Sequence, residues 1–212
     1  MGAEISAMTK LQRDWKQFVL LLIDVQQDFW TPARAQSFPH FPANTAKLLN
    51  ICRTEGIEVV HLRASFKPDK SDWMLRHKLL GRTPCIQGTA GIETLSCALA
   101  QPHEVVMPKQ TFDGFQNPAL LQHLRQNEKR FVLVAGLITS TCVLFTATSA
   151  AQSGFLVTIV DDCCADEPVA HEHTLSRYRF IFSRTSVDAI ATSYAEWLSS
   201  LKQLDEAEVE YK

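Results

Sequence analysis

No stretch of this chain stays apolar for long enough to cross a bilayer. The longest such runs, Phe18 to Val25 and Phe131 to Ile138, reach about half of the ~20 residues a spanning helix needs, and they read as buried strands. No run of lysine or arginine is dense enough to track a phosphate backbone. The 21 basic and 23 acidic residues are interspersed and leave a formal charge of -2, so nucleic acid is not an expected partner. The opening MGAEISAMTKLQRDW lacks the apolar core and cleavage site of a secretory signal. Six cysteines (Cys52, Cys85, Cys97, Cys142, Cys163, Cys164) show neither C-x-x-C spacing nor the framework of a disulfide scaffold, as in a reducing compartment. The expectation from these absences is a cytoplasmic protein with no membrane partner. M-G-A-E-I-S does match the loose N-myristoylation pattern at Gly2, but no basic cluster follows to supply a second membrane signal. Repeats and linkers are missing as well.

What the chain does hold is an ordinary globular composition, 46% hydrophobic and 21% charged over 212 residues, enough for one full core. Residues 18–202 are expected to form a single domain, with 1–17 as an N-terminal extension and 203–212 as a solvated tail. Apolar, β-prone runs alternate with helix-period segments, the signature of a parallel sheet with helices on both faces. Strands are predicted at Phe18 to Asp24, Ile57 to Leu62, Glu104 to Met107, Phe131 to Leu137, Phe155 to Asp161 and Phe180 to Ser183. Helices are predicted at Ala43 to Gly56, Gly91 to Ala100, Pro118 to Gln126, Thr141 to Ser153, Val169 to about Tyr178 and Val187 to Leu201. Asn117 serves as an N-cap before Pro118 at the first helical position. From Arg63 to Gly88 the pattern breaks into a long segment rich in Lys, Asp, Pro and Trp, and a loop of that length in a compact domain usually carries function.

Ligands of an open parallel sheet sit at the carboxyl ends of its strands, near a switch in strand order. Three chemically useful side chains fall at such ends: Asp24 after FVLLLI, Lys109 after EVVMP, and Cys142 in the turn after FVLVAGL. Cys142 has two readings, a small apolar residue filling space or a nucleophile at a helix start. There, orphan N–H groups, the helix dipole and a neighbouring ammonium would favour the thiolate. The same N–H groups can receive an oxyanion. Asp24 is either a loop cap or a carboxylate whose burial suits it to act as a base. Lys109 alone could be a surface lysine. Together the three suggest a nucleophile with its activating partners.

The segments LLLIDVQQDF, GTAGIE, VVMPKQTFDGF and VAGLITSTCVLFTATSAAQSGFLVTIVDDCCAD, in this order and spacing, resemble those of the isochorismatase-like cysteine hydrolases. That group includes nicotinamidases, N-carbamoylsarcosine amidases, ureidoacrylate amidohydrolases and isochorismatase itself. The resemblance spans roughly Phe18 to Ala189 and implies a three-layer α/β/α sandwich with a mainly parallel, Rossmann-like sheet. It also implies a catalytic triad of Asp24, Lys109 and Cys142, with the thiolate attacking an amide carbonyl and Asp24 moving the protons. A cis peptide between Leu137 and Ile138 would turn the Ile138 N–H toward the oxyanion beside that of Cys142. Gln26 would line the pocket, and a homo-oligomer, dimer or tetramer, is expected.

The sequence departs from nicotinamidases, which bind a metal through an aspartate and a histidine two residues apart after the second strand. Here V-V-H-L-R-A-S places Arg63 and Ser65 in that region, and His61 and His77 stand alone, so no metal and no cofactor is expected. A cysteine at position 142 points away from vinyl-ether cleavage and toward acyl chemistry at a C–N bond of a small amide or ureide. Ether or ester hydrolysis and a silent binding protein are the rivals. Phe29 and Phe112 are expected as pocket walls, while Trp30, Trp73 and Phe115 are as well explained by core packing. Arg63, Arg76 and Arg82 are candidates to bind a carboxylate. The adjacent Cys163 and Cys164 read as structural.

Overall fold

The computed structural model describes residues 13–210. The acylation pattern at Gly2 and most of the N-terminal extension lie outside the described residues. In chain order the regular elements are β1 (Phe18–Ile23), α1 (Pro32–Ser37), α2 (Phe41–Glu55), β2 (Glu58–Ala64), α3 (Leu75–Leu80), β3 (Val105–Lys109), α4 (Pro118–Gln126), β4 (Phe131–Leu137), α5 (Leu144–Gln152), β5 (Leu156–Ala165), α6 (Pro168–Arg177), β6 (Ser183–Thr185) and α7 (Ile190–Glu210).

β1 and β4 are buried at every position, as strands covered by helices on both faces must be. All pairings in the sheet are parallel, in the order β3-β2-β1-β4-β5-β6. The strand order therefore reverses between β1 and β4, and helices flank the sheet in a three-layer α/β/α sandwich. Gly136 makes the central pairing possible. Its φ is +126°, and a Cβ there would stand 2.0 Å from the Ile23 carbonyl oxygen. At the opposite end of these strands, Trp15, Phe18, Phe131 and Trp197 pack α7 against the sheet, with Phe131 and Trp197 ring centroids 4.9 Å apart.

Local chemistry explains most boundaries. α2 stops at Gly56, whose left-handed φ of 78° ends the helix. α4 starts where Asn117 accepts the Ala119 N–H, with Pro118 at the first position. Some predicted elements are displaced. β5 runs on to Ala165, past the predicted end at Asp161, because the two acids are satisfied in place. Arg184 reaches Asp161 at 3.1 Å, and the Val187 N–H reaches Asp162 at 2.8 Å. Cys163 and Cys164 then enter the core as free thiols. The predicted helix from Gly91 to Ala100 is instead two short 3-10 turns, Ala90–Ile92 and Ser96–Ala98. Between them the chain is held extended by Leu95 N–H to Val25 O and by a bridge from Thr94 to Gln26. β6 begins at Ser183 because a turn closed by Ile181 N–H to Tyr178 O occupies the preceding residues. α7 continues past Leu201 to Glu210.

The long segment after β2 is a packed unit and holds α3. Phe66, Trp73 and Cys85 form a small core with Ala64, and the Trp73 indole donates to Lys67 O at 2.7 Å. Gly91 of the GTAGIE stretch lies so close to Asp28 that an added Cβ would stand 2.1 Å from its carboxylate, and Asp28 accepts the Cys85 N–H at 2.6 Å. These contacts fasten the segment over the carboxyl ends of the strands.

Candidate active site

β1 ends in Asp24, whose φ of 49° lies in the left-handed region that aspartate tolerates better than most residues. Its N–H still reaches Leu62 O at 2.8 Å, so the backbone leaves the ladder only after placing this side chain. The carboxylate is fully buried and paired. Oδ1 accepts the Ala64 N–H at 2.8 Å, and Oδ2 accepts from Lys109 Nζ at 2.6 Å. Lys109 closes β3, is 2% exposed, and gives a second hydrogen bond to Thr111 O at 2.9 Å. It is an interior cation and not the surface lysine its sequence position also allowed.

Cys142 comes from the turn after β4. A π-helical turn, Thr139–Val143, precedes α5, so the regular helix begins two residues after the cysteine. The thiol faces the same end of the cavity as Asp24 and Lys109 and interacts electrostatically with both. The peptide between Leu137 and Ile138 is cis. The turn is braced from β5: Asp166, the residue after that strand, accepts Ser140 N–H at 2.8 Å and Ser140 Oγ–H at 2.5 Å. Thr139 Oγ1 pairs with His171 Nδ1 at 2.8 Å. Neither Asp166 nor His171 stands out in the sequence; the signal for Asp166 is an acid at the carboxyl end of a fifth buried strand.

Electrostatically the trio differs from the expectation of a resting thiolate. Burial pushes the Cys142 thiol well up, the Asp24 charge adds to this, and Lys109 offsets only part of it. Desolvation therefore works against the favourable helix start and favours the protonated thiol. Burial also raises the Asp24 carboxyl, with Lys109, the thiol and the Ala64 N–H pulling it back. For Lys109 burial acts downward, but Asp24 and Cys142 together outweigh it and raise the ammonium. The arrangement is a carboxylate held next to a thiol by an ammonium, all out of water.

A cavity of about 230 Å³ opens on this trio. Asp24, Lys109, Cys142 and Ile138 form its polar end together with Thr111 and Thr141, and the walls are Phe29, Phe66, Met74, His77, Pro84 and Phe112. The structure thus brings Phe29 and Phe112 to the cavity. Gln26 is a correction. It is fully buried and does not line the cavity: its amide bonds Ala64 O at 2.9 Å, Ile92 O at 2.8 Å and the Ala64 N–H at 2.9 Å. Trp30 stacks on Phe41, Phe115 packs toward Phe155 and Trp73 lies in the small core, so none of the three lines the cavity. Arg63, Arg76 and Arg82 are likewise absent from it. Phe66, Met74, His77 and Pro84 escape sequence reasoning because the long segment's folding over the site leaves no periodic signal.

His61 is 2% exposed and paired with Glu104 at 2.9 Å. Burial would raise that carboxyl, but Arg53, the Gln101 N–H and His61 outweigh it and hold it at about 2. His77 pairs with Thr83 at 2.8 Å. Among the described residues no three His, Cys, Asp or Glu side chains converge as a metal site requires.

The chain is similar to known proteins over most of its length. An isochorismatase domain model matches residues 18–198. The chain is 28% identical over 175 residues to a maleamate amidohydrolase of Pseudomonas putida, covering 76% of this chain and 81% of that one. It is 29% identical over 168 residues to nicotinamidase 3 of Arabidopsis thaliana, covering 77% and 81%. The crystal structure of an isochorismatase family protein from Desulfovibrio vulgaris superposes with a TM-score of 0.76 at 26% identity, over 84% of this chain and 98% of that one. A buried Asp–Lys–Cys cluster at the strand-order reversal of a parallel sheet, within a family match across the whole domain, makes this chain a hydrolase of the isochorismatase family.

Proposed function

We propose that the protein is a metal-independent cysteine amidohydrolase that cleaves a C–N bond of a small amide or ureide. The observation that carries this reading is that Asp24, paired with Lys109 at 2.6 Å, and the Cys142 thiol lie together at one end of a cavity. Relatives named as a maleamate amidohydrolase and a nicotinamidase support the reaction class.

The substrate carbonyl lies over Cys142. Asp24 takes the thiol proton as the sulfur–carbon bond forms, and the N–H groups of Ile138 and Cys142 receive the developing oxyanion. The C–N bond then breaks, with the proton passing from Asp24 to the departing nitrogen. A thioester remains. Water attacks it, Asp24 takes a water proton, the carbon–sulfur bond breaks, and the proton returns to the Cys142 sulfur. The balance is amide plus water to acid plus amine or ammonia. Asp24 acts in turn as base, acid and base, and Lys109 keeps its carboxylate oriented and ionised. A protonated thiol suits this sequence, since the base lies at the same end of the cavity as the sulfur.

A homo-oligomer in the cytoplasm belongs to the same reading. Exposed Leu75, Leu79 and Leu80 on α3 support self-association, and among the described residues no helix is long and apolar enough to cross a membrane.

A panel of small primary amides and ureides, assayed for ammonia and for the matching acid, tests the proposal. Equimolar ammonia and acid are expected, unaffected by a chelator. Release of an alcohol or enol from esters or ethers, with every amide inert, would replace it with the C–O reading.

A further inference from the structure

If the trio hydrolyses amides as proposed, the walls of its cavity decide which acyl groups it accepts. Lys109 is the one cation among the described residues that line the cavity, and both of its hydrogen bonds go to Asp24 and Thr111. Its charge is matched by Asp24 at 2.6 Å. Arg34 is not among the residues that line the cavity: it donates to Phe29 O at 2.7 Å and lies 4.0 Å from Asp166. His77 contributes an imidazole whose Nδ1 is held by Thr83 and whose ring meets Phe66 and Phe112 edge to face. Burial lowers its affinity for a proton, so near neutral pH it brings no charge.

The remaining wall is Phe29, Ala64, Phe66, Met74, Pro84 and Phe112. A carboxylate brought against these side chains would lose its water and find, among the described residues that line the cavity, no cation but the one matched by Asp24, which leaves a buried ion unpaired. An apolar group in the same place gains from every Å² it removes from water. At about 230 Å³ the cavity is also smaller than the roughly 300–1,000 Å³ of pockets for drug-sized ligands.

We infer that the acyl portion of the substrate is small, uncharged and apolar, and that amides bearing a carboxylate are rejected. This inference rests on the amidase reading. The polar demands of the site are then confined to the reacting carbonyl and nitrogen, which Thr111, Thr141 and the turn around Cys142 face.

The test is a matched pair, hexanamide and the monoamide of adipic acid, which differ by a terminal carboxylate at similar length. kcat/KM for ammonia release by the full-length enzyme at pH 7.5 is expected to favour hexanamide by at least ~100-fold, about 2.7 kcal/mol of transition-state discrimination. In parallel, binding of both compounds to the Cys142→Ala protein is measured by calorimetry, a readout independent of turnover. Hexanamide is expected to bind at least tenfold more tightly. Preference for hexanamide in binding, with neither compound hydrolysed but other uncharged apolar amides turned over, would sustain the inference; the same binding preference with every amide inert would sink the amidase reading and the inference with it. Equal or reversed preference in binding, or in kcat/KM where either compound is hydrolysed, or no binding of hexanamide at all, would overturn the inference even if other amides are hydrolysed.

Discussion

Replacing Cys142 by alanine abolishes turnover, by roughly 10⁴- to 10⁶-fold in kcat, while the fold persists. The magnitude is that of removing a covalent nucleophile, where only binding and oxyanion stabilisation remain. The fold persists because a single sulfur is lost from a position that is 4% exposed, a change costing about 1 kcal/mol. Asp24 and Lys109 still satisfy each other at 2.6 Å, so no buried charge is orphaned. The check is a side-by-side assay of acid and ammonia with the near-ultraviolet circular dichroism of both proteins. Residual activity within tenfold of the parent, with an intact spectrum, would remove Cys142 from the chemistry.

Asp24→Asn loses activity by a comparable ~10³-fold or more and also loses stability. An asparagine cannot take the thiol proton, and it leaves the Lys109 ammonium buried without its counter-charge, which typically costs about 3–5 kcal/mol. Adding Lys109→Met removes that orphaned charge. The double variant is expected to recover much of the lost thermal stability and none of the activity, separating the proton-transfer role from the structural one. The pH dependence has a defined sign. Attack on the carbonyl needs ionised Asp24, and burial raises this carboxyl above its ordinary 3.8. The acid limb of kcat/KM therefore lies above the normal carboxylate range and disappears in Asp24→Asn. For folding, a raised carboxyl means that the native state binds the proton more tightly. Stability contributed by Asp24 is full below about 3.8 and declines as pH rises through the raised folded value. A parent acid limb at an ordinary carboxylate position would show that another group sets it.

Much of this is legible in the sequence because parallel strands covered on both faces are nearly continuous apolar runs. FVLLLI and FVLVAGL stand out on that basis, and Asp24 and Cys142 are recognisable from their positions after them. The same strand-end rule places Lys109 on a less apolar edge strand. What escapes the sequence depends on contacts across large separations. Gln26 is expected at the pocket only through the family resemblance, yet its bonds to Ala64 and Ile92 turn it into a clamp. His77, Met74 and Pro84 reach the cavity only because Phe66, Trp73 and Cys85 pin their segment over it. The protonation state of Cys142 is hidden for a related reason: a helix start can be read from sequence, whereas the depth of burial that overrides it cannot.

The central claim is a thioester on Cys142. Its most direct measurement is intact mass of the enzyme, acid-quenched within the first turnovers of a slowly hydrolysed amide, followed by peptide mapping. The expected result is an increment equal to the acyl group minus one hydrogen, mapped to Cys142 and absent from Cys142→Ala. An acyl adduct on any other residue, or rapid hydrolysis by the Cys142→Ala protein, would contradict it.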